Sequence, residues 1–239
     1  MRELNWLMGC RDPNIVIDLC TGLPMAGWAR HSTTLVQKKS VGFDVADDPA
    51  ELAKHNAKMV ARVGTTGDAK LDEAAWQKSV DEFADGSMLG PFESLDELPV
   101  ENPRVLPRFP IWERNGGAVE WKVRAIDDCK LGGQNERSGT TSAHRPADLD
   151  YWVMLMRVLA ANCLVPLMAF TSDFKSAYRQ VTSCPNQARM FVLAIWNPVK
   201  GKVVYALAVT QMFGSSLAPL NFSRYPQFCA EAMSVSAAI

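Results

Sequence analysis

The sequence lacks the features that define several large classes of protein. Its six cysteines are scattered without a Cys-x-x-Cys pair, and none of its three histidines lies close to a cysteine. This argues against a zinc site and, in a chain of 239 residues, against a disulfide framework. No signal-peptide pattern opens the chain, and the longest apolar run, residues 152–170, is broken by Arg157, Asn162 and Pro166. We therefore expect an intracellular protein, cytoplasmic or nuclear, with reduced thiols and no membrane span.

Net charge is also nearly absent. With 25 basic and 26 acidic side chains the chain carries −1, which gives no overall attraction to nucleic acid. The charges are unevenly spread, because residues 44–101 hold 14 acidic and 5 basic side chains and the remainder is mildly basic. A basic surface suits contact with a phosphate backbone, but an ordinary solvated surface gives the same counts. The 48% of hydrophobic residues is enough for a real core.

Helical patterns dominate the first part of the chain. Amphipathic spacing, with aspartates at the expected caps, predicts three helices: residues 13–20, 48–63 and 71–83. Five prolines between residues 91 and 110 then predict a linker or an extended crossing segment. We place a boundary there, with an N-terminal helical region over residues 1–100 and a second unit over residues 101–239.

The second unit mixes strands and helices. Alternation of apolar and basic residues predicts a half-buried strand over 119–127, and glycine-rich sequence predicts a loop over 129–145. Further elements follow from periodicity and turn residues: a helix over 149–163, a strand over 166–170, a hairpin of 190–196 with 202–207, and a helix over 216–233. The fold class is therefore α+β, with an antiparallel sheet packed on helices.

The most informative stretch is residues 171–180, Thr-Ser-Asp-Phe-Lys-Ser-Ala-Tyr-Arg-Gln. It places one carboxylate, Asp173, where an apolar strand ends and a helical turn begins. A carboxylate fixed at a strand end suits Mg²⁺, which prefers one or two carboxylates together with substrate phosphates. Taken alone, an aspartate before a helix is more often an N-cap than a metal ligand.

A second stretch, residues 211–222, reads Gln-Met-Phe-Gly-Ser-Ser-Leu-Ala-Pro-Leu-Asn-Phe. The two stretches, in this order and at this separation, resemble two motifs of reverse transcriptases, the RNA-directed DNA polymerases of retroelements and retroviruses. The resemblance covers residues 119–232. It implies the fingers and part of the palm of a right-hand polymerase, and a nucleotidyltransferase that adds dNTPs to a primer on an RNA or DNA template. It also implies further modules of a retrotransposon polyprotein downstream.

The resemblance assigns roles to particular residues. Asp173 matches the catalytic ligand of Mg²⁺ or Mn²⁺, and Tyr178 matches the steric gate whose ring excludes a ribose 2′-hydroxyl. Residues expected to line the nucleotide are the neighbours of these two and a basic fingers strand: Phe174, Ser176, Ala177, Phe213, Gly214, Arg124 and Lys122. Met212 departs from the family pattern, in which proline commonly precedes the Phe-Gly pair. Arg124 and Lys122 are equally well explained as ordinary exposed strand residues.

The family's remaining aspartates lie in an aromatic-x-Asp-Asp hairpin, and these 239 residues contain no such sequence. The one Asp-Asp pair of the basic strand, Asp127-Asp128, is better explained as a turn or cap. We therefore expect the chain alone to be inactive. Two rivals stay open: a truncated, non-catalytic nucleic-acid-binding fragment, and an RNA-dependent RNA polymerase, which the aromatic Tyr178 disfavours. Trp112 and Trp121 are candidates for stacking on template bases, with core packing as the alternative.

Overall fold

The structure, a computed structural model, describes residue 9 and residues 12–28, 36–37, 48–114, 121–140, 142–143, 149–162, 174 and 176–236. The α-helices within these ranges are α1 (Ile15–Thr21), α2 (Pro49–Val60), α3 (Ala69–Ala84), α4 (Leu149–Asn162) and α5 (Ala218–Ser236). The strands are β1 (Gly27–Trp28), β2 (Val36–Gln37), β3 (Met88–Phe92), β4 (Val105–Arg114), β5 (Trp121–Asp127), β6 (Ser138–Gly139), β7 (Ser142–Ala143), β8 (Val192–Asn197) and β9 (Lys202–Ala208). Short 3-10 turns lie at Leu95–Glu97, Asn135–Arg137, Ala177–Gln180 and Pro185–Met190.

One five-stranded sheet organises these elements, in the order β3-β9-β8-β4-β5. The expected α+β class is confirmed, but the sheet is mixed where we expected it to be antiparallel. β4 runs parallel to β8 over Val105–Pro107, whereas the other three pairings are antiparallel. A parallel pair needs a long crossover connection, and the chain between β4 and β8, which includes β5 and α4, supplies it.

The two predicted acidic helices are confirmed, and the second begins at Ala69, two residues before the predicted start. The Asp48 side chain accepts a hydrogen bond from the Glu51 amide, and Asp68 accepts from the amides of Lys70 and Leu71, so each aspartate caps its helix. Both helices pack on β4, and α3 also packs on β5. The helices before residue 100 therefore rest on strands that come after it.

The predicted strand at 119–127 and the hairpin after residue 190 are confirmed as β5 and as β8 with β9. The proline-rich segment contributes the start of β4, which keeps Pro107 and Pro110 within an extended strand. The boundary placed at residue 100 falls between β3 and β4, two strands of the same sheet.

The N-terminal segment is bound to the C-terminal helix by a buried ion pair. Arg224 donates through Nε to Asp12 at 2.6 Å and through Nη2 to Asp18 at 2.8 Å, and all three side chains are buried. Asn221 of the same helix donates to the carbonyl of Pro24 at 2.6 Å. These bonds hold α1 and the residues after it against α5.

The largest apolar cluster lies between the sheet and this N-terminal segment, and it includes Met25, Leu106, Phe191, Leu193 and Met212. Helix α4 confirms the predicted helix over residues 149–163 to within one residue. The predicted strand over 166–170, together with Asp173 and Lys175, lies outside the described residues. Among the described helices, none has the length and apolar character needed to span a bilayer.

Candidate functional site

The two motif stretches meet through their aromatic side chains. The ring centroids of Tyr178 and Phe213 lie 4.8 Å apart, and Tyr178 also meets Phe222 edge-on at 5.6 Å. Phe213 remains 53% exposed although it is large and apolar. The residues that the sequence singled out as a gate and as a nucleotide-pocket wall are therefore direct neighbours at the protein surface.

Phe174 joins the same aromatic cluster. Its ring lies edge-on to Phe222 at 5.5 Å and to Tyr225 at 6.0 Å, both on α5. Edge-to-face pairs at these distances are favourable beyond the area that they bury. The residue following Asp173 is thus fixed to α5, whose first residues, Ala218 to Phe222, are the end of the second motif.

The turn that carries Tyr178 is a 3-10 turn, a tighter structure than the α-helical turn that we expected. Ser176 adopts the left-handed conformation with φ of 55°, and the Ala177 amide donates to the carbonyl of Phe174 at 3.2 Å. The Arg179 amide donates to the Ser176 carbonyl at 2.7 Å. The Ala177 amide, expected to face a triphosphate, is therefore used within the turn.

Arg179 ties this turn to the sheet through a buried cluster of charges. Its Nη2 donates to Asp127 at 2.9 Å and to Glu82 at 3.0 Å. Arg108 contacts the same two carboxylates, with Nη1 at 2.8 Å from Glu82 and Nε at 3.3 Å from Asp127. Two cations and two anions from α3, β4, β5 and the turn thus neutralise one another, and Glu82 alone of the four is partly exposed to solvent.

Asp127 has a different role from the one that we predicted. We expected a turn or cap residue, but its carboxylate lies between Arg108 and Arg179 and is almost fully buried. Asp128 does make the turn, since its Oδ1 accepts from the Leu131 amide at 2.8 Å. Burial alone would lower the pKa of the Arg108 guanidinium, but the nearby charges of Asp127 and Glu82 outweigh it and raise that pKa.

Gly214 is required by a close approach of two backbones. A Cβ at this position would fall on the carbonyl oxygen of Asp127. Asn135 holds the turn in place, because its Nδ2 donates to the Gly214 carbonyl at 3.1 Å and its Oδ1 accepts from the Ser216 amide at 2.7 Å. The glycine that we expected to approach a base or sugar approaches the end of β5.

Met212 departs from the family pattern for a reason of packing. Its side chain is completely buried in the main core cluster, beside the sheet. The residue before Phe213 therefore anchors the loop from within the core, while Phe213 itself faces outward.

Arg124 and Lys122 lie on the outer part of β5, away from Asp127. Both contact Glu113, with Arg124 Nη2 at 2.6 Å and Lys122 Nζ at 3.4 Å, and both are about half exposed. The Arg124 hydrogen bond, helped by Lys122, holds the pKa of Glu113 below its ordinary value. Arg124 and Asp127 point to opposite faces, since they are an odd number of residues apart on one strand. Asp127, at the inner end of β5, is the residue that reaches the Tyr178 turn.

Sequence reasoning assigned Asp127 the wrong role and missed Arg179, Arg108 and Asn135, which together with Asp127 hold the two motifs in place. Arg179 lies within the first motif stretch, residues 171–180. Its role is visible only from its ion pairs with carboxylates that are distant in the sequence. Comparison with protein-family models and with curated proteins finds no match to this chain.

Proposed function

We propose that the chain is the fingers and partial palm of an RNA-directed DNA polymerase from a retrotransposon-type polyprotein. The observation that supports the proposal is the 4.8 Å contact between Tyr178 and Phe213, because a shared nucleotide pocket needs these two motifs, remote in sequence, to lie side by side. The substrates would be dNTPs and a primer on an RNA or DNA template.

Asp173 would hold Mg²⁺ or Mn²⁺, which in this chemistry lowers the pKa of the primer hydroxyl and neutralises the triphosphate. Asp127 is a poor second ligand, because two arginines already bind its carboxylate. The 239 residues alone should therefore bind nucleic acid without incorporating nucleotides, which is also the behaviour of the rival non-catalytic fragment.

The test uses the protein extended by the coding sequence downstream of residue 239. On a primed RNA template with Mg²⁺ or Mn²⁺, this form should incorporate dNTPs, and Asp173→Asn should reduce incorporation to background. Asp128→Asn, which changes an aspartate whose side chain accepts from the Leu131 turn amide, is the matched control and should stay active. Full activity of Asp173→Asn would remove the proposed mechanism.

Tyr178 would select deoxyribose through the rigid position of its ring. Phe213 and Phe222 pack on that ring, so it has little freedom to move aside for a 2′-hydroxyl. Tyr178→Val should therefore raise ribonucleotide incorporation relative to deoxynucleotide, measured as the ratio of kcat/KM values, whereas Tyr178→Phe should keep the original selectivity.

The sugar ratio also separates this proposal from an RNA-dependent RNA polymerase. If the unmodified protein already prefers ribonucleotides, or if Tyr178→Val leaves the ratio unchanged, the gate role is wrong.

A further inference from the structure

Two tryptophans lie exposed on a part of the sheet that projects beyond its other strands. β8 pairs with β4 only through Pro107, so the outer parts of β4 and β5 form a two-stranded ribbon backed by α3. On this ribbon Trp112 is 40% exposed and Trp121 is 59% exposed. Core packing, the alternative left open from the sequence, does not account for exposure of this extent.

The two rings share one face of the ribbon. Trp112 pairs with Val123 and Arg114 pairs with Trp121, so the tryptophans are diagonal neighbours across the two strands. Together they line a cavity that is open to solvent. The Trp112 indole N–H donates to Asp68 at 3.1 Å, which fixes that ring in its exposed position before any ligand arrives.

Arg114 is the cation of the ring-bearing face. The register puts Arg114 on the same face as Trp112 and Trp121, and puts Lys122, Arg124 and Glu113 on the opposite face. Glu113 contacts both Lys122 and Arg124, whereas Arg114, directly opposite Trp121, makes no ion pair with any residue that the structure describes. A cation beside an exposed indole is available for an incoming anion.

We propose that Trp112, Trp121 and Arg114 form a binding site for single-stranded nucleic acid, in which the rings stack on unpaired bases and the arginine contacts a phosphate. Fixed aromatic rings interleaved with cations are the pattern by which proteins hold single strands. In a duplex the faces of the bases are stacked on one another, so the two tryptophan rings cannot stack on them. The binding site itself is argued independently of the proposed function. Only the identification of the bound strand as the template of a polymerase rests on that function.

The test is a titration of the 239-residue protein with a short fluorescein-labelled oligo(dT) or oligo(U). Trp121→Ala should weaken binding about tenfold or more, because a base–aromatic stack contributes that much, and Trp121→Phe should retain most of the affinity. Arg114→Gln should reduce the slope of log affinity against log salt by about one, as expected for the loss of a single phosphate contact.

Val199→Ala is the matched control, since Val199 is 82% exposed on the β8–β9 turn and should leave binding unchanged. Unchanged affinity of Trp121→Ala, or an equal loss with a blunt duplex, overturns the proposal. Self-association that Trp121→Ala abolishes, without oligonucleotide binding, would assign the face to a second copy instead. If the chain binds the oligonucleotide but its extended form incorporates no dNTP, the polymerase function is wrong and the binding site is retained.

Discussion

At the scale of single residues, Asp127 is the buried carboxylate that joins two arginines of the candidate site. Its buried carboxylate is bound by Arg108 and Arg179, and Arg179 belongs to the turn that presents Tyr178. Removing one partner of a buried ion pair leaves an uncompensated charge, which costs about 3–5 kcal/mol. The position of the Tyr178 ring therefore depends on Asp127, a residue of β5 that binds the same turn through Arg179.

We expect Asp127→Ala to lower the free energy of unfolding by about 3–5 kcal/mol, because two arginines lose a buried counter-charge. Urea unfolding monitored by circular dichroism measures this directly. Asp128→Ala is the control, and it should cost only about 1 kcal/mol because one turn hydrogen bond is lost. Equal losses of unfolding free energy in the two variants would show that the buried ion pairs of Asp127 contribute no more to stability than one turn hydrogen bond.

The sequence identified Tyr178 and Phe213 because each lies in a short, recognisable motif. It gave Asp127 a turn or cap role, because its partner Arg179 lies 52 residues away, and it did not identify Glu82, which lies 97 residues from Arg179. Local patterns report on neighbours along the chain, and an ion pair between distant residues leaves no periodic signal. The same limit explains why Asn135, which holds the Gly214 turn, went unnoticed.

At the scale of elements, Asp68 links the start of α3 to the ribbon. Its carboxylate accepts from the Trp112 indole and from the first amides of the helix, and these bonds, the indole's first, hold its pKa below its ordinary value. A lowered pKa in the folded state means that the ionised form favours folding. This contribution is present at neutral pH and disappears as the pH falls through the lowered pKa.

Asp68→Asn should therefore be less stable than the parent protein at pH 6, and the difference should shrink below about pH 4 as the parent's carboxylate protonates. Urea midpoints measured across that range test this. Asp68→Ser keeps a capping oxygen but has no titrating group. The pH dependence of its stability should therefore be reduced as it is in Asp68→Asn. A stability difference that stays constant down to pH 2 would contradict the assignment.

Elements with strong local signals were predicted well from the sequence. The capped helices α2 and α3, helix α4, strand β5 and the β8–β9 hairpin all lie where periodicity and turn residues predicted them. The parallel pairing of β4 with β8 was not predictable in this way, because nothing within either strand specifies a distant partner. From the sequence, Pro91 starts the predicted linker or extended crossing segment, but it lies within β3 at the edge of the sheet, where a proline is tolerated.

At the scale of the whole molecule, the N-terminal segment is part of the structure that supports the candidate site. Gly22 packs so closely on Ser183 that a Cβ would overlap its backbone, and the buried Gln211 side chain donates to the carbonyl of Leu23. Arg224 completes this attachment through Asp12 and Asp18. The segment before the first acidic helix thus braces both the second motif and α5.

Arg224→Met should lower the free energy of unfolding by about 3–5 kcal/mol, because two buried carboxylates lose the guanidinium of Arg224. Limited proteolysis should then cut first within residues 12–28, which lose their anchor on α5. Adding Asp12→Asn and Asp18→Asn to this variant should restore part of the stability, since the repulsion between the two buried carboxylates is removed. No recovery in the triple variant would show that the ion pair is not what holds the segment.

The separation between Asp12 and Arg224 also bears on biosynthesis. The two residues are 212 positions apart, and ribosomes add roughly 5–20 residues per second, so Asp12 is made on the order of 10–40 s before its partner. Throughout that interval Asp12 and Asp18 lack the guanidinium of Arg224. Residues 12–28 can therefore dock on α5 only after residue 224 has been made, and a chaperone acting during translation would meet them undocked.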